Sequence, residues 1–168
     1  DSRWVDCLAN LGNLTGSPVS TGIWIEDAVT GEVPLLETTA PPELLQPYED
    51  HYAATFPERF WRAEEPIGRV TRLEDFWPDE SYQQSEYLND YALPYDVPIS
   101  IISMVDRNSR YILRTCQCRR LREGAFTATM TREVTRYLPH FARAFAIRDE
   151  LTVLREETTA KAQALDRL

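Results

Sequence analysis

The segment SEYLNDYALPYDVPISIISMVDRNSRYILRTCQC, residues 85–118, reads as a helix, a proline-marked loop, a strand, a turn and a second strand. Ser85 to Ala92 places Tyr87 and Tyr91 four residues apart, on one helix face, with Leu88 on the adjoining face. Pro94 and Pro98 end this helix, because each lacks an amide donor and biases its predecessor toward extended backbone. Ile99 to Val105 is short, β-branched and apolar on both faces, which predicts a strand inside a sheet rather than at its edge. Asp106-Arg107-Asn108-Ser109 supplies turn chemistry, with Asn108 the candidate for positive φ, and Tyr111 to Gln117 returns as the partner strand.

On the N-terminal side, Trp4, Val5, Leu8 and Leu11 fall at helical spacing, and Gly12 or Gly16 can stop that helix. Val19 to Glu26 and Val33 to Thr38 flank a turn at Ala28-Val29-Thr30-Gly31 and predict a first hairpin, with Pro34 marking the return strand as an edge or its beginning. Pro41 and Pro42 open a helix that carries Leu44, Tyr48 and Tyr52, with Glu43 near its positive end. Phe56 to Trp61 is a second aromatic cluster, and Gly68 to Leu73 a plausible strand. Asp79 or Ser81 is the candidate cap of the Tyr87/Tyr91 helix.

On the C-terminal side, Arg119, Arg120 and Arg122 form a small basic loop, read as solvated. A long helix follows from about Thr129, with Met130, Val134, Leu138, Phe141 and Phe145 as the stripe that covers the sheet and Pro139 as a point of kinking. Beyond Phe145 the pattern narrows. Ala144, Leu151, Thr158 and Leu165 recur every seven residues, and Ile147, Leu154, Lys161 and Leu168 follow with an offset of three. Polar residues at Thr158 and Lys161 make this a weak coiled-coil seam. Phe145 to Leu168 spans about 35 Å at helical rise, more than a small sheet needs covered, so the seam predicts a dimer through Ile147, Leu151, Leu154, Leu165 and Leu168.

A chain of 168 residues with 43% hydrophobic and 11% aromatic residues has the means to bury a core, and it lacks an apolar run of bilayer length. A formal net charge of -9 argues against this segment gripping phosphates, since nucleic-acid affinity draws on Lys and Arg. Cys7, Cys116 and Cys118 are too few for a disulfide framework, which predicts a reducing cytoplasm. The first residue is Asp, so the start reads as a trimmed edge of a longer chain.

Trp24, Tyr48, Tyr52, Tyr87 and Tyr91 form a candidate ligand wall, aromatic with a few hydroxyls, as small-molecule sites are built. Their alternative reading is as core aromatics satisfied by backbone or water. Ile102, Met104, Leu113 and Thr115 are the hairpin positions added to the wall, though alternation leaves open which face meets a cavity. Cys116 and Cys118 share one strand face. They read as small packing residues, with zinc or thiol redox chemistry as the sharper alternatives. His51 and His140 read as surface or packing residues. No phosphate loop, nucleophile elbow or dinucleotide fingerprint occurs, so neither an enzyme nor a cofactor or metal site is expected.

Three stretches together resemble the N-terminal sensor region of LuxR-type helix-turn-helix transcriptional regulators. They are Ser85 to Tyr91 with Pro94 and Asp96-Val97-Pro98, the following hairpin, and Leu138-Pro139-His140 with Arg143-Ala144 and the charged exit helix. Arg3-Trp4 and Tyr48 to Tyr52 add weaker matches. The resemblance implies an α/β (α+β) domain, a PAS/GAF-like antiparallel sheet of about five strands flanked by helices with a long C-terminal helix. It further implies a small-molecule pocket between sheet and helices, a homodimer, and DNA contact only through a domain beyond this chain. Residues 1–145 would form the sensor and 146–168 the connecting helix. In the acyl-homoserine-lactone branch, an Asp-Pro pair anchors the ligand amide. The corresponding dipeptide here looks like Phe56-Pro57, and Phe accepts no hydrogen bond, which implies a different ligand. A structural dimerisation module without ligand and a GAF-like input domain of a signalling enzyme are the competing readings.

Overall fold

The computed structural model describes residues 2–17, 19–33, 35–55, 65–76 and 80–165. The Phe56-Pro57 dipeptide, the aromatic cluster to Trp61, the cap candidate Asp79 and Leu168 lie outside the described residues. The centre is a five-stranded antiparallel sheet in the order β2-β1-β5-β4-β3. Its strands are β1 (Ser20–Asp27), β2 (Leu35–Thr38), β3 (Val70–Arg72), β4 (Ile99–Arg107) and β5 (Tyr111–Arg119). The hairpin predicted from residues 99–117 thus occupies the middle of the sheet and runs two residues longer at each C-terminal end. Its turn is built differently from expectation. Asn108 keeps negative φ, and its side-chain carbonyl accepts the amides of Arg110 and Tyr111 at 2.8 and 3.0 Å, fixing the reversal without a left-handed residue.

Helices cover both faces of the sheet. On one side, α1 (Ser2–Thr15) and the long α3 (Ala128–Leu165) bury Leu8, Leu11, Val134, Leu138, Phe141 and Phe145 against Ile23, Ile101, Val105 and Leu113. The predicted stripe on α3 is the face that packs, and the helix continues through Pro139. On the other side, α2 (Pro42–Asp50) and a π-helix (Tyr87–Ala92) cover Trp24 and Ile102, with short helical turns at Leu73–Phe76 and Glu80–Gln83 closing the end. Each face of β4 therefore meets a helical layer, which is why its sequence is apolar on both sides.

Within the predicted Ser85 to Ala92 helix, Tyr87–Ala92 is π-helical rather than α-helical. Leu93 donates to the carbonyl of Leu88 at 2.9 Å and Val97 to that of Ala92 at 2.8 Å, both five residues back. Pro94 has no amide to give the preceding turn, and the carbonyl of Asp90 receives the Tyr52 hydroxyl at 3.3 Å instead. Ser85, rather than Ser81, supplies the cap, with its hydroxyl accepting the amide of Leu88 at 3.2 Å. Asp96, at φ 56°, is the one non-glycine residue with positive φ among those described. Its carboxylate accepts the amide of Leu121 at 3.1 Å and faces Arg120 at 3.4 Å, tying this loop to the chain leaving β5.

The basic loop is only partly solvated. Arg119 is buried, donates to the carbonyls of Glu123 and Ala125 at 2.7 and 3.2 Å, and lies over the Phe126 ring. It fastens the β5–α3 connection, whereas Leu121 and Arg122 face solvent. No helix among the described residues is long and apolar enough to cross a membrane.

Candidate functional site

A cavity of about 320 Å³ lies between the sheet and the layer formed by α2 and the π-helix. Its floor is the sheet face of β1, β5 and β4, through Trp24, Gly22, Cys116, Cys118, Ile102 and Ser100. Its roof comes from Leu44 and Tyr48 of α2 and Tyr87 and Tyr91 of the π-helix, with Leu73 and Val97 at the ends. Gly22 stands opposite Cys116 in the β1/β5 register and lines the cavity without a side chain; a Cβ there would meet Thr38 Oγ1 at 3.4 Å.

The roof tyrosines are packed on one another. Tyr91 lies 5.9 Å from Tyr48, 5.4 Å from Tyr87 and 5.0 Å from Tyr52, centroid to centroid. The Tyr91 hydroxyl donates to the carbonyl of Leu44 at 3.0 Å, which pins the π-helix to α2 across the roof. At the outer rim, His51 Nε2 meets Glu86 Oε1 at 2.5 Å and bridges the same two elements. Burial pushes the phenols of Tyr48, Tyr87 and Tyr91 above the usual tyrosine range, so all three keep their protons at neutral pH. The lining carries a single carboxylate, Glu49, and no Lys, Arg or His among the described residues. Such a wall suits an uncharged guest and disfavours an anion.

The two floor thiols form a pair. Cys116 Sγ and Cys118 Sγ are 3.8 Å apart, and the Ser100 hydroxyl donates to Cys118 at 3.4 Å. The hydrogen bond with Cys118 and burial hold the Cys116 thiol above its ordinary value. Accepting from Cys116 and then from Ser100 holds Cys118 below its own, against the opposing effect of burial.

This chain shares its fold with a known ligand-binding domain. The crystal structure of the VqsR LBD domain from Pseudomonas aeruginosa matches with a TM-score of 0.53, covering 82% of this chain and 80% of that one at 18% sequence identity. At that identity the likeness is one of fold. No family model matches the sequence, and no curated protein does.

Of the wall residues expected from sequence, Trp24, Tyr48, Tyr87, Tyr91 and Ile102 line the cavity. Tyr52 sits behind them, its ring tilted against Tyr91 and its hydroxyl on the π-helix backbone. Leu113 and Thr115 do not belong to the wall. Thr115 pairs with Ile23 and Leu113 with Ile25, so both point into the opposite layer with α1 and α3, because side chains alternate along the strand. Met104 is on the cavity face but beyond the cavity's end, opposite Arg114, which is ion-paired with Glu26. Sequence reasoning passed over Ser100, Cys116 and Cys118 as lining residues. The signal was present in the C-x-C spacing, and it needed the strand register to say which face is which.

No group of three His, Cys, Asp or Glu side chains gathers as a metal site among the described residues. Ile147, Leu151 and Leu154 are 53%, 48% and 57% exposed on α3, whereas Phe145, two residues before them, is buried. Leu165 is the last described residue of that helix.

Proposed function

We propose that this chain is the sensory domain of a cytoplasmic LuxR-type transcriptional regulator rather than an enzyme, and that it takes a small uncharged molecule into the cavity between the sheet and the tyrosine helices. The observation that carries this reading is the cavity itself, which is within the size range of small-molecule sites and walled by apolar and aromatic side chains with few polar groups. The fold shared with a domain described as an LBD supports it. A guest touching Tyr91 and Tyr87 would bias the π-helix and the loop that Asp96 ties to the β5–α3 connection. The route from cavity to C-terminal helix is thus short, and α3 would pass the shift to a DNA-binding domain across a homodimer seamed by Ile147, Leu151, Leu154, Leu165 and Leu168.

Native mass spectrometry of the purified chain, with thermal-shift screening against uncharged metabolites, is the test. Retained or added small molecule is expected at one per chain. Gly22→Leu, which adds a side chain to the cavity floor, is expected to abolish it while the fold persists by circular dichroism. Binding that survives Gly22→Leu unchanged would remove the cavity from consideration. The exposed apolar positions on α3 favour a second reading, a dimerisation module without ligand. Dimers whose stability no screened compound alters would support that reading.

A further inference from the structure

We propose that the cavity accepts an apolar, uncharged α,β-unsaturated carbonyl compound, an enone, and holds it covalently through Cys118, with Cys116 as proton donor. This deepens the sensor reading and rests on it. Both thiols are free and partly accessible, and both open onto the cavity. Their alternation on β5 turns both sulfurs to one face, which Gly22 opposite Cys116 and Ser20 opposite Cys118 share as cavity lining.

The two sulfurs are not equivalent. Cys118 accepts the Ser100 hydroxyl at 3.4 Å while its neighbour lies 3.8 Å away, so negative charge is better supported on Cys118 and the proton on Cys116. A nucleophile and an acid thus stand side by side in the cavity floor. The apolar and aromatic side chains that make up most of the described lining, with Glu49 as its carboxylate, favour a neutral electrophile over a carboxylated or phosphorylated one. A bridging soft metal is less well served, because no third ligand stands near among the described residues.

In the proposed step the Cys118 sulfur bonds to the β-carbon of the guest. The alkene π pair shifts through the α-carbon to the carbonyl oxygen, giving an enolate. The α-carbon then takes the Cys116 proton, and Cys116 is reprotonated by the proton that Cys118 released. One S–H and one C=C π bond become one C–S and one C–H bond, with nothing oxidised or reduced. Confinement beside the thiol supplies the rate advantage over a thiol in water.

Benzylideneacetone is the probe, and its saturated counterpart benzylacetone the control, with the chain carrying Cys7→Ser to remove the exposed thiol. Intact-mass and peptide-mapping measurements are expected to show one adduct, on Cys118, forming at least about tenfold faster than on free glutathione at the same pH. Cys116→Ser is expected to slow the adduct without moving it, and Cys118→Ser or Cys118→Ala to abolish it. Mapping on the chain with both thiols intact keeps the result independent of how those variants fold. An adduct no faster than that on glutathione, or equal labelling of both thiols, would overturn the proposal. If benzylacetone raises the melting temperature and the enone still leaves Cys118 unmodified, covalent capture fails and the cavity stands as a ligand site. If binding of every kind survives Gly22→Leu, the sensor reading of the cavity fails as well.

Discussion

Tyr91 shows how much a single side chain can be asked to do in this domain. Its ring touches Tyr48, Tyr52, Tyr87 and Tyr95, and its hydroxyl closes the roof on the Leu44 carbonyl. Because Tyr48, Tyr87 and Tyr91 sit where a phenolate is poorly solvated, their protonation couples to folding. Below about pH 10 the phenols are neutral in both folded and unfolded chains, and stability does not depend on them. Above it the unfolded chain releases protons that the folded chain retains, so stability falls as pH rises, by up to about 1.4 kcal/mol per pH unit for each of Tyr48 and Tyr87. Tyr111, pushed up to about 12 by burial and by its hydrogen bond to Asp106, adds to the loss between its unfolded value and about pH 12. Denaturant midpoints measured from pH 8 to 11 should show this decline, and Tyr87→Phe should make it shallower. A flat profile would mean that the roof is open to water.

At the scale of elements, α1 is defined by one close approach. A Cβ on Gly12 would stand 2.7 Å from the Ser17 carbonyl oxygen and 2.7 Å from Thr21 Oγ1, so the helix lies against β1 at a distance only glycine allows. Just beyond, Thr15 and Ser17 donate to the buried Gln117 side chain at 2.6 and 3.2 Å, stitching the end of α1 to β5. Gly→Ala inside a helix ordinarily gains about 1 kcal/mol. Here the sign should reverse: Gly12→Ala is expected to destabilise by roughly 2 kcal/mol, the size of an overpacking penalty, in urea unfolding, whereas an exposed substitution such as Asn13→Ala should change little. A stabilised Gly12→Ala chain would show that α1 can move off the sheet freely.

For the molecule as a whole, the division of labour between the two sheet faces is the main result. One face carries a packed core with α1 and α3, and the other carries the cavity. Beyond Phe145, α3 leaves that core and displays Ile147, Leu151 and Leu154 to solvent. Replacing these three by Asp is expected to leave the circular dichroism and melting of the sheet domain within a small margin of the parent, since surface substitutions are usually worth under about 0.5 kcal/mol, and to convert the proposed homodimer to a monomer in sedimentation velocity. Retention of the dimer after the triple substitution would place any interface elsewhere.

Much of this arrangement was legible from local chemistry. The apolar, β-branched Ile99 to Val105, the turn at Asp106 to Ser109 and the prolines at 94 and 98 specify a central hairpin because their preferences are set by the residues themselves. The stripe from Met130 to Phe145 identified the packing face of α3 because helical periodicity is likewise a property of the local chain. The cavity was half legible: four aromatic residues were placed on it by spacing and type, while Leu113 and Thr115 were assigned to the wrong face and the two thiols to packing. An apolar strand buried on both sides has no polar face to show its orientation, and only the pairing of Ile23 with Thr115 and Gly22 with Cys116 decides it. The π-helical turn was beyond local reading for the same reason. Its widened pairing depends on Pro94 withholding an amide and on Tyr52, far away in the chain, supplying a hydroxyl to the Asp90 carbonyl. Sequence by itself determined the two hairpins and where the main helices lie. Tertiary structure decided which side chains share a space, because register and helix docking are long-range choices that no short stretch of chain can make alone.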